Sequence, residues 1–346
     1  MPSFVADSRL VPPRLIRRLL SVPGVLFGTL FFTVAFPVLV IVTLITDLVM
    51  NPRRLRFTRT YAFLVWMGWI EIVTVLRGMA IGARFVRRLD TPKAQHRLQR
   101  VVAFYGHQIL NATSKVLGLK LDATGLEALA DGAPMVCFGH HTSILDSVVP
   151  VDLLAYRGNY DVHYVIKKEL AWGPAFDIVG RWVRVHFVDR TGRDSAAEMA
   201  AVASLAHDLG PRQMPVIYPE GTFYSPKRLA RAVERLKEQA PDLVARAERL
   251  RHVLPPRTGG ATALLDAAPD VDVLFVVHSG FEKFTSIARI FRNIPFRQPV
   301  HVHMWRVPRR EVPVESEERY RWLFSQFELM DKWVTEQLEP SFATAS

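Results

Sequence analysis

Residues 19–46 carry no charged side chain, and the centre of that stretch reads Val25-Leu-Phe-Gly-Thr-Leu-Phe-Phe-Thr-Val-Ala-Phe36. One helix over this length would extend roughly 40 Å, against about 30 Å for the hydrocarbon thickness of a bilayer. The run is too long for a cleaved signal peptide and lacks a small-x-small exit. A second apolar run, residues 61–76, is shorter, holds Glu71 near its end and spans a bilayer only marginally. Arginines flank both: Arg14, Arg17 and Arg18 before, Arg53, Arg54, Arg56 and Arg59 between, Arg77, Arg84, Arg87 and Arg88 after. Such symmetry argues against a simple two-pass hairpin under the positive-inside rule. Pro37 offers another solution, bending the first run into a re-entrant pair within one leaflet. The expectation is a membrane-embedded helical anchor over residues 1–90, with its number of crossings open. Gly78-x-x-x-Gly82 follows in a basic stretch and reads as incidental rather than as a dimerisation face.

Beyond the anchor, strands and helices alternate. Residues 91–117 have the period of an amphipathic helix, and short strands are expected over 119–122, 134–138, 161–166, 182–190, 214–218, 273–278 and 300–305. Asp194 or Ser195 caps a helix that Gly210 ends. Residues 226–253 form a charged, alanine-rich helical region read as solvated surface. A final amphipathic helix over 316–338 carries Trp322, Phe324, Phe327, Leu329 and Trp333 as a core face. The fold class expected is α/β, a mixed sheet flanked by helices over residues 91–346, appended to the anchor.

Lys and Arg total 44 against 33 Asp and Glu, a net charge of +11, which favours an anionic partner such as an acidic membrane or a phosphorylated substrate. Nucleic acid is the poorer choice, since the chain has no zinc-ligand spacing, RNP-like motif or basic run with interleaved aromatics. The single cysteine, Cys137, excludes an internal disulfide and reads as a packed core thiol.

Chemistry concentrates in Phe138-Gly-His140-His141-Thr-Ser-Ile-Leu-Asp146. A buried strand, a glycine and a helix start expose side chains at the end of a sheet. A neutral imidazole is suited to removing a hydroxyl proton near pH 7, best when a carboxylate fixes its tautomer. Ser143-x-x-Asp146 is equally a capping box, which makes Asp146 helix punctuation; the two readings are compatible. His140 has Leu145 at the corresponding spacing, so only His141 meets an acid there. Two further blocks follow in order. A strand ends in Asp189-Arg190, and Met214-Pro-Val-Ile-Tyr runs into Pro219-Glu220-Gly221-Thr222. Alone, the first is an ion pair and the second a turn.

Together these blocks make the chain similar to the PlsC-like glycerolipid acyltransferases, which include the 1-acylglycerol-3-phosphate acyltransferases. The similarity covers roughly residues 115 to 310. It implies a membrane-bound O-acyltransferase moving a fatty acyl group from acyl-CoA or acyl carrier protein to the free hydroxyl of a lysophospholipid, foremost 1-acylglycerol-3-phosphate. It further implies His141 as base, Asp146 as its orienter, Arg190 as the clamp on the acceptor phosphate, and Glu220, Gly221 and Thr222 shaping the acceptor site. Neither a metal nor a cofactor beyond the thioester is expected, and the site is placed at the cytoplasmic face of a membrane. The chain departs from the family pattern at His140, where Asn is usual, at Phe223, where Arg is frequent, and in the strand 273–278, which lacks a proline. Lys227 or Arg257 would supply the charge missing at Phe223. Another acceptor (a lysophosphoinositide, glycolipid or polyol) and a non-catalytic lipid-binding protein are the rival readings.

Overall fold

The computed structural model describes residues 12–143, 146–188, 195–282, 284 and 286–339. The uncharged run is not one helix. It is broken at Ala35 into α1 (Arg14–Val34) and α2 (Phe36–Met50), with Pro37 in the first turn of α2, where a missing N–H costs nothing. After a connection containing Leu55 at φ 49° comes α3 (Arg56–Arg84), 29 residues and about 44 Å long. It outgrows the apolar run 61–76 at both ends, because its arginines find partners. Arg59 donates to the Val116 carbonyl at 2.6 Å, and the Arg77 guanidinium lies 3.9 Å over the Phe104 ring. Both acceptors belong to α4 (Pro92–Leu117). Helices α1 and α3 are long and apolar enough to cross a membrane.

The chain divides into two compact units, the first drawn from residues 1–120, 148–198 and 287–298, the second from 121–147, 199–286 and 299–346. Helices α1, α2 and α3 share the first unit with α4. Among the described residues there are seven strands: β1, β7, β6, β2 and β5 lie side by side in that order as a mixed sheet in the second unit, and β3 pairs with β4 in the first. They are β1 (Leu121–Thr124), β2 (Met135–Gly139), β3 (Asp161–Lys167), β4 (Val185–Val188), β5 (Gln213–Ile217), β6 (Asp272–Ser279) and β7 (Val300–Val307). β1 with β7, β2 with β5 and with β6, and β3 with β4 pair parallel, whereas β6 and β7 are antiparallel.

In the first unit, buried charge ties the apolar helices down. Asp177 on α6 (Pro174–Ile178), which follows the short α5 (Val148–Pro150), accepts from Arg17, from Arg18 at 2.7 Å and from Arg181 at 2.8 Å. At the far end of α2, buried Asp47 accepts from the Phe57 and Thr58 backbone N–H groups at 3.1 and 2.8 Å, capping α3 from outside. Gly78 and Gly82 of α3 are buried against Val179 and Trp182. The small-residue pair is thus an intramolecular seat, not an incidental feature. Leu19, Phe27, Phe31, Val38, Ile45 and Val49 remain exposed.

The second unit buries every residue of β2. Strand β1 begins two residues later than expected, because Gly118 at φ 81° ends α4 and Leu119 N donates back to the Thr113 carbonyl. Helix α7 (Ser195–Ser204) stops well before Gly210, since Asp208 at φ 52° has already left helical space; Asp194 lies outside the described residues. The charged region after β5 is α8 (Pro226–Gln239), capped by the Ser225 hydroxyl, then a break at Pro241 and the short α9 (Val244–Ala247). One stripe of it, Ala232, Val233 and Leu236, is core rather than solvated. Then follow α10 (Thr258–Ala267), α11 (Ile287–Asn293, in the first unit) and α12 (Ser316–Leu338). Phe324, Phe327, Met330 and Val334 form the core face of α12, whereas Leu329, expected there, is half exposed.

Candidate active site

The C-terminal end of β2 delivers Gly139, His140 and His141 in succession, between β6 and β5. The ring Nδ1 of His141 lies 2.9 Å from Oδ1 of Asp146. An ionised carboxylate only accepts, so Nδ1 carries the proton and Nε2 keeps its lone pair, the tautomer a general base requires. Asp146 is wholly buried while His141 stays partly open. Its other oxygen, Oδ2, accepts from the Thr142 and Ser143 backbone N–H groups at 2.5 and 2.7 Å. The contact to Ser143 is the reach-back of a capping box, and the same carboxylate orients the imidazole. Burial alone would lift this carboxyl, but hydrogen bonds from His141 and His278 outweigh it and hold Asp146 well below the usual carboxylate range. The His141 ring stacks on Tyr218 at 4.4 Å between centroids and meets Phe223 at 4.3 Å. Two aromatic walls and a carboxylate therefore fix the ring on three sides.

His140 faces the interior. Its Nδ1 donates to Oε1 of Glu220 at 2.7 Å, and both groups are buried. Glu220 Oε1 also accepts from the His141 backbone N–H at 2.9 Å, and Oε2 from Leu254 N at 2.9 Å. The Glu220 carboxylate thus ties together His140, the Leu254 N–H and the backbone that carries His141. Gly221 adopts φ 69°, and a Cβ there would come within 3.1 Å of Arg257 Nε, so the glycine admits the Arg257 side chain. Arg257 N donates to the Pro219 carbonyl at 2.9 Å. Thr222 is half-buried beside this turn, and Lys227 is exposed in the first turn of α8. Asp189 and Arg190 lie outside the described residues. The Cys137 thiol is fully buried, which pushes its pKa far up and leaves it inert.

Three groups at the site escape the motif reading: Tyr218, Phe223 as a wall rather than a lost arginine, and His278. The signal for His278 was available in principle, a histidine ending an otherwise apolar strand. What that strand lies beside is a matter of sheet order.

Residues 120–278 match the family model described as Acyltransferase. The chain is 26% identical over 289 residues to 1-acyl-sn-glycerol-3-phosphate acyltransferase epsilon of Mus musculus, covering 79% of this chain and 73% of that one. It is 23% identical over 202 residues to probable 1-acyl-sn-glycerol-3-phosphate acyltransferase 5 of Arabidopsis thaliana, covering 57% of this chain and only 52% of that relative. Among solved structures, the 1-acyl-sn-glycerophosphate (LPA) acyltransferase PlsC from Thermotoga maritima aligns with a TM-score of 0.54 over 82% of this chain and 97% of that one. At 16% identity that likeness is one of fold.

Proposed function

Because the chain belongs to the PlsC-like glycerolipid acyltransferase family, we propose that it moves a fatty acyl group from a thioester to the free hydroxyl of 1-acylglycerol-3-phosphate, giving phosphatidic acid. A lysolipid hydroxyl is a poor nucleophile at neutral pH, whereas an acyl thioester is already activated, so one positioned base suffices. Nε2 of His141 takes the hydroxyl proton as the oxygen attacks the thioester carbonyl. The tetrahedral intermediate collapses by breaking the C–S bond, and the proton on the imidazolium passes to the departing thiolate. Asp146 holds the ring and stabilises the imidazolium. The observation carrying this reading is the buried Asp146 carboxylate 2.9 Å from Nδ1, which leaves Nε2 as the nitrogen with no protein partner among the described residues.

The donor is acyl-CoA or acyl carrier protein, both anionic like the acceptor, and the +11 charge suits them. Arg190 is assigned to the acceptor phosphate on the family pattern, with Arg257 beside Gly221 and Lys227 as further cations. The reaction needs neither metal nor cofactor beyond the thioester. Exposed apolar helices α1 and α2 hold the chain at a membrane, with the site on its cytoplasmic face.

The test offers labelled acyl-CoA and a panel of acceptors to the purified full chain in phospholipid vesicles, with products identified by lipid mass spectrometry. The panel comprises 1-acylglycerol-3-phosphate, a lysophosphoinositide, a glycolipid and a polyol. Labelled phosphatidic acid is the expected product. Transfer to another acceptor alone would reassign the substrate, and no transfer to any would sink the reading.

A further inference from the structure

Strand β6 runs parallel to β2 with Gly139 opposite Val276, so its last residues, including His278, come level with the His140-His141 pair. His278 is buried, and its Nε2 lies 3.0 Å from the His140 carbonyl oxygen and 3.4 Å from Oδ2 of Asp146. Both neighbours only accept, so Nε2 carries the proton. The ring stacks on His140 at 4.9 Å and meets Phe281 edge-on at 5.2 Å. Its Nδ1 is buried with no hydrogen-bond partner among the described residues. A valine or leucine would fill this end of an apolar strand without stranding a ring nitrogen, so packing alone does not account for a histidine.

We propose that His278 is a positioning residue of the acyl-transfer site, holding the Asp146 carboxylate and the His140 carbonyl so that Oδ1 is presented to His141. The proposal rests on the reading given above. Oδ2 of Asp146 faces three donors, Thr142 N, Ser143 N and His278 Nε2, which stops the carboxylate from turning and presents Oδ1 to the base, with the Ser147 hydroxyl at 3.5 Å as its other donor. The same N–H fixes the carbonyl between the two adjacent histidines. The titratable groups facing His278 are Asp146, His140 and Glu282. Burial opposes charge on this ring, but the contacts and charge of Asp146, with Glu282, raise its pKa overall.

The experiment compares H278F, which keeps the stacking but loses the donor, with H278Q, whose amide nitrogen takes the place of Nε2. Two readouts are taken on the full chain in vesicles. One is steady-state acyl transfer from acyl-CoA to 1-acylglycerol-3-phosphate. The other is the pH midpoint of His141 modification by diethylpyrocarbonate, followed by peptide mass spectrometry, which needs no activity. Removing one donor leaves Asp146 a stronger acceptor for His141, so H278F should move that midpoint, and the acid limb of kcat, up by about half a pH unit. It should lower kcat about tenfold with both KM values within about twofold, while H278Q stays within about threefold of the parent. An unchanged midpoint and kcat in H278F, or equal losses in H278Q, would overturn the proposal. If H278F does not fold, H278N replaces it; failure of both to fold, with H278Q unaltered in neither readout, would assign His278 to the fold alone and overturn it too. An inactive parent protein with a shifted His141 midpoint in H278F would instead refute the acyl-transfer reading and leave the positioning role standing.

Discussion

His140 and His141 are adjacent in sequence and opposite in environment, and their variants separate the two roles. His141→Ala should lower kcat by about two to four orders of magnitude, the usual size of a general-base contribution, with the melting temperature nearly unchanged. His140→Ala should instead lose stability, by about 2–4 kcal/mol, because it opens a buried space and removes a donor from buried Glu220. His140→Asn keeps an amide donor where Nδ1 stands and should recover most of that loss; comparable melting curves for the two His140 variants would contradict this. Arg190→Ala should cut kcat/KM for a phosphorylated lysolipid about ten- to a hundredfold, with Arg190→Lys recovering part, since an ammonium lacks the bidentate fork. Equal impairment with an acceptor that has no phosphate would refute the clamp. The proximity of His141 and Asp146 was legible because it is local, set by a spacing of a few residues. The burial of Glu220 was not, since its partners arrive from 79 and 34 residues away in the chain.

At the scale of elements, alternation and amphipathic period marked the sheet strands and α12, because burial on one face leaves a repeat in the sequence. Boundaries were less legible where partners decide them. Helix α3 continues past its apolar run because α4 receives its arginines, and β1 starts late because Gly118 reverses the chain. The pair Gly78 and Gly82 reads as incidental until α6 and the turn after it are in view. A Cβ on Gly78 would lie 2.3 Å from Cγ2 of Val179 but 3.4 Å from its Cβ, an ordinary contact. Gly78→Ala should therefore cost about 1–3 kcal/mol by denaturant unfolding, and adding Val179→Ala should return most of it. Additive losses in the double variant would show that the two residues do not touch.

For the molecule as a whole, the exposed apolar side chains of α1 and α2 predict that the protein sediments with membranes and resists carbonate extraction. Release by high salt alone would show that charge holds it there instead. The charge-free run signalled this surface directly, whereas its division at Ala35 rested on a single proline and the polar fastening by Asp177 and Asp47 on pairings invisible in one dimension. The region between β5 and α10 has a different bearing on the whole. It departs after Pro219-Glu220 and returns at Leu254 and Arg257, where Leu254 N meets Glu220 and Arg257 N meets Pro219. The excursion is closed at its neck by bonds that belong to the return point, not to its interior. The entropy of closing such a loop grows only slowly with its length. The residues beyond Phe223 and Tyr224, which themselves meet His141, can therefore be lengthened, shortened or exchanged while the histidine-bearing end of β2 keeps the same supports.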